Sequence, residues 1–416
     1  MSVPFGVSRA ELQQLFSVIW STVLSRFMTS PLTIPELLRL LGVRIVLPGL
    51  AVLLFAGTTA HAQWVRIDAL TGPFYNEVFF ASATLGFISG QSGQILRTTD
   101  GGDSWQTVTL PGAGFSANRD ISFPDATTGF ISGDDGIWKT TNGGATFVSV
   151  TPAGAVPTGS ASCFFRTAAI GVWGYGSCLD SIVTFWRTIN GGVSWTPFRD
   201  TLTADVAVGG VTYSAGRFSA AGGSGKFWQS IDDGLTWTNS STASGGWQED
   251  LVERGGRLHI ASADGTSCRA TGGGRLLVST NGGTSWQTTL FPTVVTWGVS
   301  FYSTNDGFAV GDRGAAYRSR DGGNSWTLTA CGLDANDRLD DVWMIDATNG
   351  FAVGDAVYRW RPDTFAIRPD TLDFGRIVVG ETSDPSEVTL QSYGTAANAV
   401  GRAVSGPDAA AFLSGI

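Results

Sequence analysis

Charge is scarce in this chain, and so are the residues from which most active sites are built. Asp, Glu, Lys and Arg make up only 15% of its 416 residues, and it has 2 histidines, 3 methionines and 4 cysteines. So little charge beside 56 glycines argues against a helical protein and suits many short strands joined by tight turns. Basic residues are outnumbered by acidic ones, for a formal net charge of −9. The basic footprint that nonspecific nucleic-acid binding requires is therefore missing. The cysteines, Cys163, Cys178, Cys268 and Cys331, have none of the short paired spacings of a zinc site. Their even number permits two disulfides in an exported chain, Cys163 with Cys178 and Cys268 with Cys331. No motif for a metal or cofactor is present, and neither is expected. His259 lies in the strand-like run Leu258-His259-Ile260-Ala261. With no Ser or Cys partner motif it reads as a packed strand residue.

Long apolar runs are also missing. The longest near the start, Ile45 to Gly57, has 13 residues, short for a bilayer span. Arg39 and Arg44 precede it, and the small-x-small pattern Ala60-His61-Ala62 follows. This is the layout of a signal peptide with an extended n-region over 1–62, starting at Met1 or Met28 and cut before Gln63. The expectation is a periplasmic, cell-surface or extracellular protein without a stable membrane span after cleavage. Residues 1–62 hold four Arg and two Glu, so their removal takes the net charge to −11.

What is abundant is repetition. Six phrases share one pattern: TTDGGDSW (98–105), TTNGGATF (140–147), TINGGVSW (188–195), SIDDGLTW (230–237), STNGGTSW (279–286) and SRDGGNSW (319–326). Their third residues, Asp100, Asn142, Asn190, Asp232, Asn281 and Asp321, are 40 to 49 residues apart. Such a period on β-rich sequence marks a propeller or solenoid. The stretch 118–150 parses as four strands, DISF, GFISG, IWKTT and TFVSV, which is one propeller blade. Each phrase falls on the turn between the third and fourth strands. Its carboxylate or amide oxygen accepts backbone N–H groups further along, and its glycines take positive φ. The closing ring, Trp105, Phe147, Trp195, Trp237, Trp286 or Trp326, enters the fourth strand and is buried. These residues read as structural staples, not ligand-binding groups.

The phrase resembles the Asp-box, or BNR repeat, of the sialidase-like propellers. The longer pattern, GFISG (86–90) through LRTTD (96–100) and GFAVGDRGAAYRSRDGG (307–323), is similar to the photosystem II assembly/stability factor family. That resemblance implies a seven-bladed, non-enzymatic propeller. Residues 339–361 supply three strands without the phrase, and Gln63-Trp64-Val65-Arg66-Ile67 matches a fourth-strand pattern. The N-terminal strand is therefore expected to complete the seventh blade and close the ring, giving an all-β propeller over 63–361. Over 362–416, Asp373-Phe374-Gly375 and SGPDAA (405–410) resemble the start of an immunoglobulin-like ASH/hydin, or choice-of-anchor, module. About 50 residues are half of what such a sandwich needs, so the module reads as incomplete.

Catalysis finds little support in motifs. Sialidases carry an early Arg-Ile-Pro and a triad of Arg; here the nearest fragment is Val65-Arg66-Ile67-Asp68, and glycoside hydrolysis generally needs two placed carboxylates. Arg97, Lys139, Arg187, Arg318 and Arg359 share one position late in third strands, where their stems can cover apolar surface while the charged heads stay wet. Long second-to-third-strand loops at Gly174 to Ile182 and Ala263 to Gly274 carry cysteines. They share a face with the starts of the first strands, and loops on a rigid scaffold commonly bind. Arg119, Asp120, Trp247, Glu249, Asp250, Trp297, Asp340 and Asp341 lie at those starts and form the candidate binding set. The expectation is a non-enzymatic binding or assembly scaffold for a protein or peptide partner, with carbohydrate binding or sialidase-like chemistry as the alternative.

Overall fold

The computed structural model describes residues 59–364, apart from 71, 73, 113–117, 158, 178–180, 203–206, 243, 266–271 and 331, and the pair Ala396–Ala397. Residues 1–58 of the expected signal peptide, most of the residues expected to form a C-terminal module, and Cys178, Cys268 and Cys331 lie outside the described residues.

Seven antiparallel sheets form a propeller ring. The innermost strands of blades 1 to 6 are Tyr75–Phe80, Asn118–Ser122, Ala161–Phe165, Val208–Ser214, Trp247–Arg254 and Thr296–Phe301. Blade 7 consists of Leu339–Met344, Gly350–Gly354, Val357–Thr364 and the N-terminal strand Thr59–Arg66, with Ala396–Ala397 paired outside it. The N-terminal strand closes the ring, as expected: Trp64 pairs with Trp360 and Arg66 with Tyr358. The second strands, such as Gly86–Gly90 and Gly307–Gly311, are buried at every residue except the leading Arg217 and Arg257 of blades 4 and 5. Each is covered on both sheet faces by neighbouring blades, which is why these runs lack polar alternation. The described apolar clusters lie at the seams between blades. At the seam of blades 6 and 7, Trp64, Phe308, Trp360 and Met344 pack together, with Trp64 1% exposed. Burying each such side chain is worth about 1.5–3 kcal/mol.

The six repeated turns are tied from inside. Asp100 Oδ1 accepts the Ser104 N–H at 2.9 Å and the Thr98 hydroxyl at 2.7 Å, while Oδ2 accepts the Ser104 hydroxyl at 2.5 Å. Thr98 Oγ1 in turn accepts the Gly102 N–H at 2.9 Å. The hydroxyl and N–H of Ser104, then the Thr98 hydroxyl, hold the Asp100 carboxyl well below its ordinary value. At Asp232 partial burial works the other way, but bonds from Thr236 and Ser230 still leave it at about 2. Where Asn replaces Asp, one bond reverses: Asn142 Oδ1 accepts the Thr146 N–H at 3.0 Å and Nδ2 donates to the Thr146 hydroxyl at 2.8 Å. The hydroxyl serves as donor or acceptor, so the turn tolerates either residue. Gly102 has φ +87°, and a Cβ there would stand 2.2 Å from the Phe351 ring of the preceding blade. Glycine is required both for conformation and for close approach.

The cations before these turns do not keep their heads wet. Three reach the turn of the next blade: Arg97 Nε to the Gly143 carbonyl at 2.7 Å, Lys139 Nζ to Gly191 at 2.9 Å and Arg187 Nε to Asp233 at 2.9 Å. Gln229 does the same to Gly282 at 2.9 Å. In blade 5 the role passes to Arg257 of the second strand, 3.1 Å from the Gly322 carbonyl. Arg359 closes the ring onto the blade 1 turn through Asp103 at 2.5 Å. Blade 7 has no such turn, and Arg318 instead donates to the Tyr302 hydroxyl at 2.9 Å within its own blade. A position read as surface cover is a blade-to-blade latch, because a staple turn presents carbonyls within its reach.

Candidate functional site

The first strands line a central channel of about 660 Å³. In six of them the pairing slips by one residue near the start, as between Gln248 and Asp250 or between Leu339 and Asp341. The extra residue of such a bulge turns side chains toward an opening that a regular strand would not address. Four residues of the candidate set, Arg119, Glu249, Trp297 and Asp340, occupy the bulge, and Asp120, Asp250 and Asp341 are the first regularly paired residues after it. Asp120, Glu249, Asp250, Trp297, Asp340 and Asp341 thus come together on one cavity. Trp247 is paired with Ala263 one step earlier and is not among the lining residues. Arg119 holds its strand position, with its side chain outside the described residues.

The register puts Glu77, Asp120, Ser162, Gly210, Asp250, Gly298 and Asp341 at one level around the axis. The acids join neighbouring blades there. Asp120 accepts the Cys163 N–H at 2.9 Å and the Ser162 hydroxyl; Asp250 accepts the Val299 N–H and Asp341 the Val78 N–H, each at 2.9 Å. Ser162 continues the chain by accepting the Val211 N–H at 2.8 Å. Where the position is glycine, the next blade's backbone presses in: a Cβ on Gly298 would lie 2.7 Å from the Asp340 carbonyl oxygen.

Gathering these acids in one channel costs solvation and adds repulsion. Burial, partly offset by hydrogen bonds from Ser162, Cys163 and Ile121, raises the Asp120 carboxyl to about 7. Burial, offset by the N–H groups of Val299 and Leu251, raises Asp250 to about 6. Glu77 is pushed well above the ordinary carboxylate range by burial and then by Asp341, Asp120, Asp250 and Asp340; Asp341 is raised by burial and then by Asp250. At the mouth, Arg338 answers part of this charge. It bonds Asp340 through Nε at 2.5 Å and lies 3.9 Å over the Trp297 ring, whose Nε1 donates to Asp312 at 2.6 Å.

Two residues beyond the acid level, three of the seven strands present aromatic rings, Phe79, Phe164 and Trp343, each half-buried, beside Ser122, Thr212, Val252 and Ser300. Phe79 and Trp343 approach to 4.7 Å between centroids. Glu77 and this aromatic layer escaped the sequence reading. Strand alternation supplied a signal, since Glu77 and Phe79, or Asp341 and Trp343, stand two apart on one face.

Cys163 is a free, buried thiol, which corrects the expected pairing with Cys178. It sits in the innermost strand, where burial and the nearby Asp120 raise its pKa well above the usual thiol value. His259 is 1% exposed and stacks on Phe301 at 3.8 Å, beside Gly323 of the next blade's turn. Burial, then Arg257, lowers its pKa to about 3. Its side chain serves as a packed ring, like Phe87 and Phe351 in the corresponding strands. No group of three or more His, Cys, Asp or Glu suited to a metal occurs among the described residues, and no helix among them is long and apolar enough to cross a membrane.

No protein-family profile matches the chain. A xyloglucanase from Paenibacillus sp is 29% identical over 239 residues, 47% of this chain and 23% of that protein. The chain thus spans about a quarter of that relative's length. Among solved structures, YCF48 bound to D1 peptide is 16% identical with a TM-score of 0.56, covering 74% of this chain and 100% of that one. The GH74 enzyme of Niastella koreensis is 15% identical with a TM-score of 0.56, covering 73% of this chain and 53% of that one. These structural likenesses show the shared propeller fold. The likeness to a xyloglucanase overturns the expectation of a chain without enzyme activity. Carboxylates on separate blades, such as Asp120 and Asp250, are brought to one cavity only by the folded ring, and no local motif marks them.

Proposed function

We propose that the protein binds an extended peptide segment carrying basic side chains at the mouth of the central channel. The observation that carries this reading is the convergence of Glu77, Asp120, Glu249, Asp250, Asp340 and Asp341 on one cavity, above the aromatic layer of Phe79, Phe164 and Trp343. Acidic groups recruit a cation, and aromatic faces then hold it by cation–π contact. The peptide-bound YCF48, covered over its whole length by the match, supports a peptide partner. The six tied turns are of the Asp-box kind in this reading. The apolar run Ile45 to Gly57 with Ala60-His61-Ala62 supports export, and the residues after 365 support an anchoring module. Cleavage before Gln63 would keep the pairing of Gln63 to Arg66.

The test is fluorescence anisotropy with labelled basic and acidic peptides. The basic peptide should bind more tightly, lose affinity with added salt, and bind more weakly at pH 5 than at pH 8, since the raised carboxyls are protonated at the lower pH. Glu249→Lys and Asp340→Lys should each weaken it by about tenfold, the effect of about 1.4 kcal/mol. Equal binding of both peptides would remove the reading.

A second reading, favoured by the 29% identical xyloglucanase, is hydrolysis of a β-linked glucan. A carboxyl raised to about 7, as at Asp120, is partly protonated at neutrality, as a general acid requires. Release of reducing ends from xyloglucan, lost in Asp120→Asn or Asp250→Asn, would establish it; absence of release from the intact chain would exclude it.

A further inference from the structure

At the channel mouth the chain fills a cation slot with a side chain of its own. Asn76, Trp297 and Asp340 are the extra residues of the bulges in blades 1, 6 and 7, so they stand at one level on three consecutive blades of the ring. Arg338, two residues before Asp340, lies across this arc. Its guanidinium is 3.9 Å from the centre of the Trp297 ring and 5.2 Å from that of Phe74. Nε and Nη2 both meet Asp340 Oδ1 at 2.5 Å. The Trp297 ring is itself fixed by the bond from Nε1 to Asp312. Two rings and a carboxylate around a flat cation favour guanidinium over ammonium, because only the planar group covers a ring face while its fork stays on the acid.

Two features make this occupant exchangeable. The backbone of Arg338 is held, donating to Asp355 Oδ2 at 2.7 Å and accepting the Asp355 N–H at 2.9 Å. Its side chain is nevertheless 41% exposed, where that of Asp340 is 13%. The charged head can therefore leave without moving the strand. An incoming guanidinium that takes over its ring contacts and its carboxylate leaves no buried charge unpaired. The exchange also has something to gain. Asn76 lines the same cavity, and its Oδ1 is buried with no hydrogen-bond donor among the described residues. A buried acceptor without a donor is unfavourable, and a guanidinium entering along the axis carries enough N–H groups for Asp340 and Asn76 together. We propose, building on the peptide reading above, that Phe74, Trp297, Asp340 and Asn76 form a subsite for an arginine side chain of the bound peptide. Arg338 occupies this subsite in the free protein and swings out when the peptide arrives.

The test compares two labelled peptides, alike except for arginine or lysine at their basic positions, on the full chain and on Arg338→Ala. An internal competitor lowers apparent affinity by the fraction of time it holds the site. Arg338→Ala should therefore tighten the arginine peptide by about tenfold and the lysine peptide clearly less. Adding Trp297→Leu should abolish that difference. Equal tightening of both peptides would reduce the effect to a lost positive charge and overturn the proposal. Weaker arginine binding would also overturn it, making Arg338 part of the frame of the site. Binding of neither peptide to either protein would remove the peptide reading and the proposal together. Two readouts stand apart from peptide affinity in the variant. Methylguanidinium should raise the melting temperature of Arg338→Ala, and methylammonium at the same concentration should not; equal responses overturn the proposal. In the wild type, the Nε–H resonance of Arg338 should shift as the arginine peptide saturates, because the group leaves the Trp297 ring. A resonance that stays in place under saturation overturns the exchange.

Discussion

In blades 1 to 6 the third and fourth strands are joined by a turn that a carboxylate or amide ties from inside. In blade 7 these strands come from distant parts of the chain, and strand pairing with ring packing holds them. The cost of losing the turn is visible at Arg318, which has no neighbouring turn to grip and bonds Tyr302 of its own blade. What remains is the ring packing. The seam of blades 6 and 7 has Trp64 against Phe308 at 5.8 Å and against Trp360 at 5.2 Å. Stapled blades pack their closing rings in the same way, as Trp105 does on Phe80 and Phe351, so the fourth strand of blade 7 is held by that packing and its pairing without the staple.

The largest expected effect tests that packing directly. Trp64→Ala removes the anchor of an unstapled strand and should lower stability by about 3–5 kcal/mol, read as a fall in denaturation midpoint. A loss no greater than that of an exposed residue would break the comparison. Next come the latches. Arg359→Ala should cost about 1.5–3 kcal/mol, the range for hydrogen bonds to charged groups, while Arg318→Ala should cost clearly less because it joins no second blade. Equal losses would show that latching across the seam is not what these cations supply.

Titration separates the inner ring from the outer one. Asp120 and Asp250, raised to about 7 and 6, bind protons more readily folded than unfolded, where a carboxyl titrates near 4. Their contribution is complete below about pH 4 and is lost as pH rises through the raised values. Asp232, held at about 2, works oppositely: its contribution is present above about pH 4 and lost toward pH 2. Asp250→Asn should therefore flatten the fall in melting temperature between pH 5 and pH 8, and Asp232→Asn should leave that interval unchanged. The smallest effect is at His259. Its lowered pKa means that acid below about pH 6.5 favours the unfolded chain. His259→Phe should stabilise by about 1 kcal/mol, removing two unpaired ring nitrogens, and the gain should grow toward pH 5.

The blades were legible in the sequence because each is local: its strands, turn and closing ring lie within some 40 residues. The seventh blade was legible through the likeness of Trp64-Val65 to the other fourth strands. The channel was only half legible. Asp120, Asp250 and Asp341 were singled out by their place at strand starts, but Glu77 was not, and the bonds from Asp341 to Val78 or Asp120 to Cys163 join residues far apart in sequence. The latches were misread for the same reason, since Arg97 looks like surface cover until the Gly143 carbonyl is beside it. Cys163 was misread because an even cysteine count says nothing about which strand faces the axis.

Ring closure by the first strand also has a consequence for synthesis. Thr59–Arg66 leaves the ribosome, or crosses a membrane, before any other blade segment, yet its partner Val357–Thr364 is made last. For most of that interval the chain is an open arc with Trp64 unsheltered and the edge of each new blade waiting for a neighbour. Closure is then a single late event linking residues nearly 300 apart in sequence, slow by the rule that distant contacts form slowly. A chain cut short anywhere before residue 357 would leave an arc instead of a ring, so full-length synthesis is itself a checkpoint on the fold.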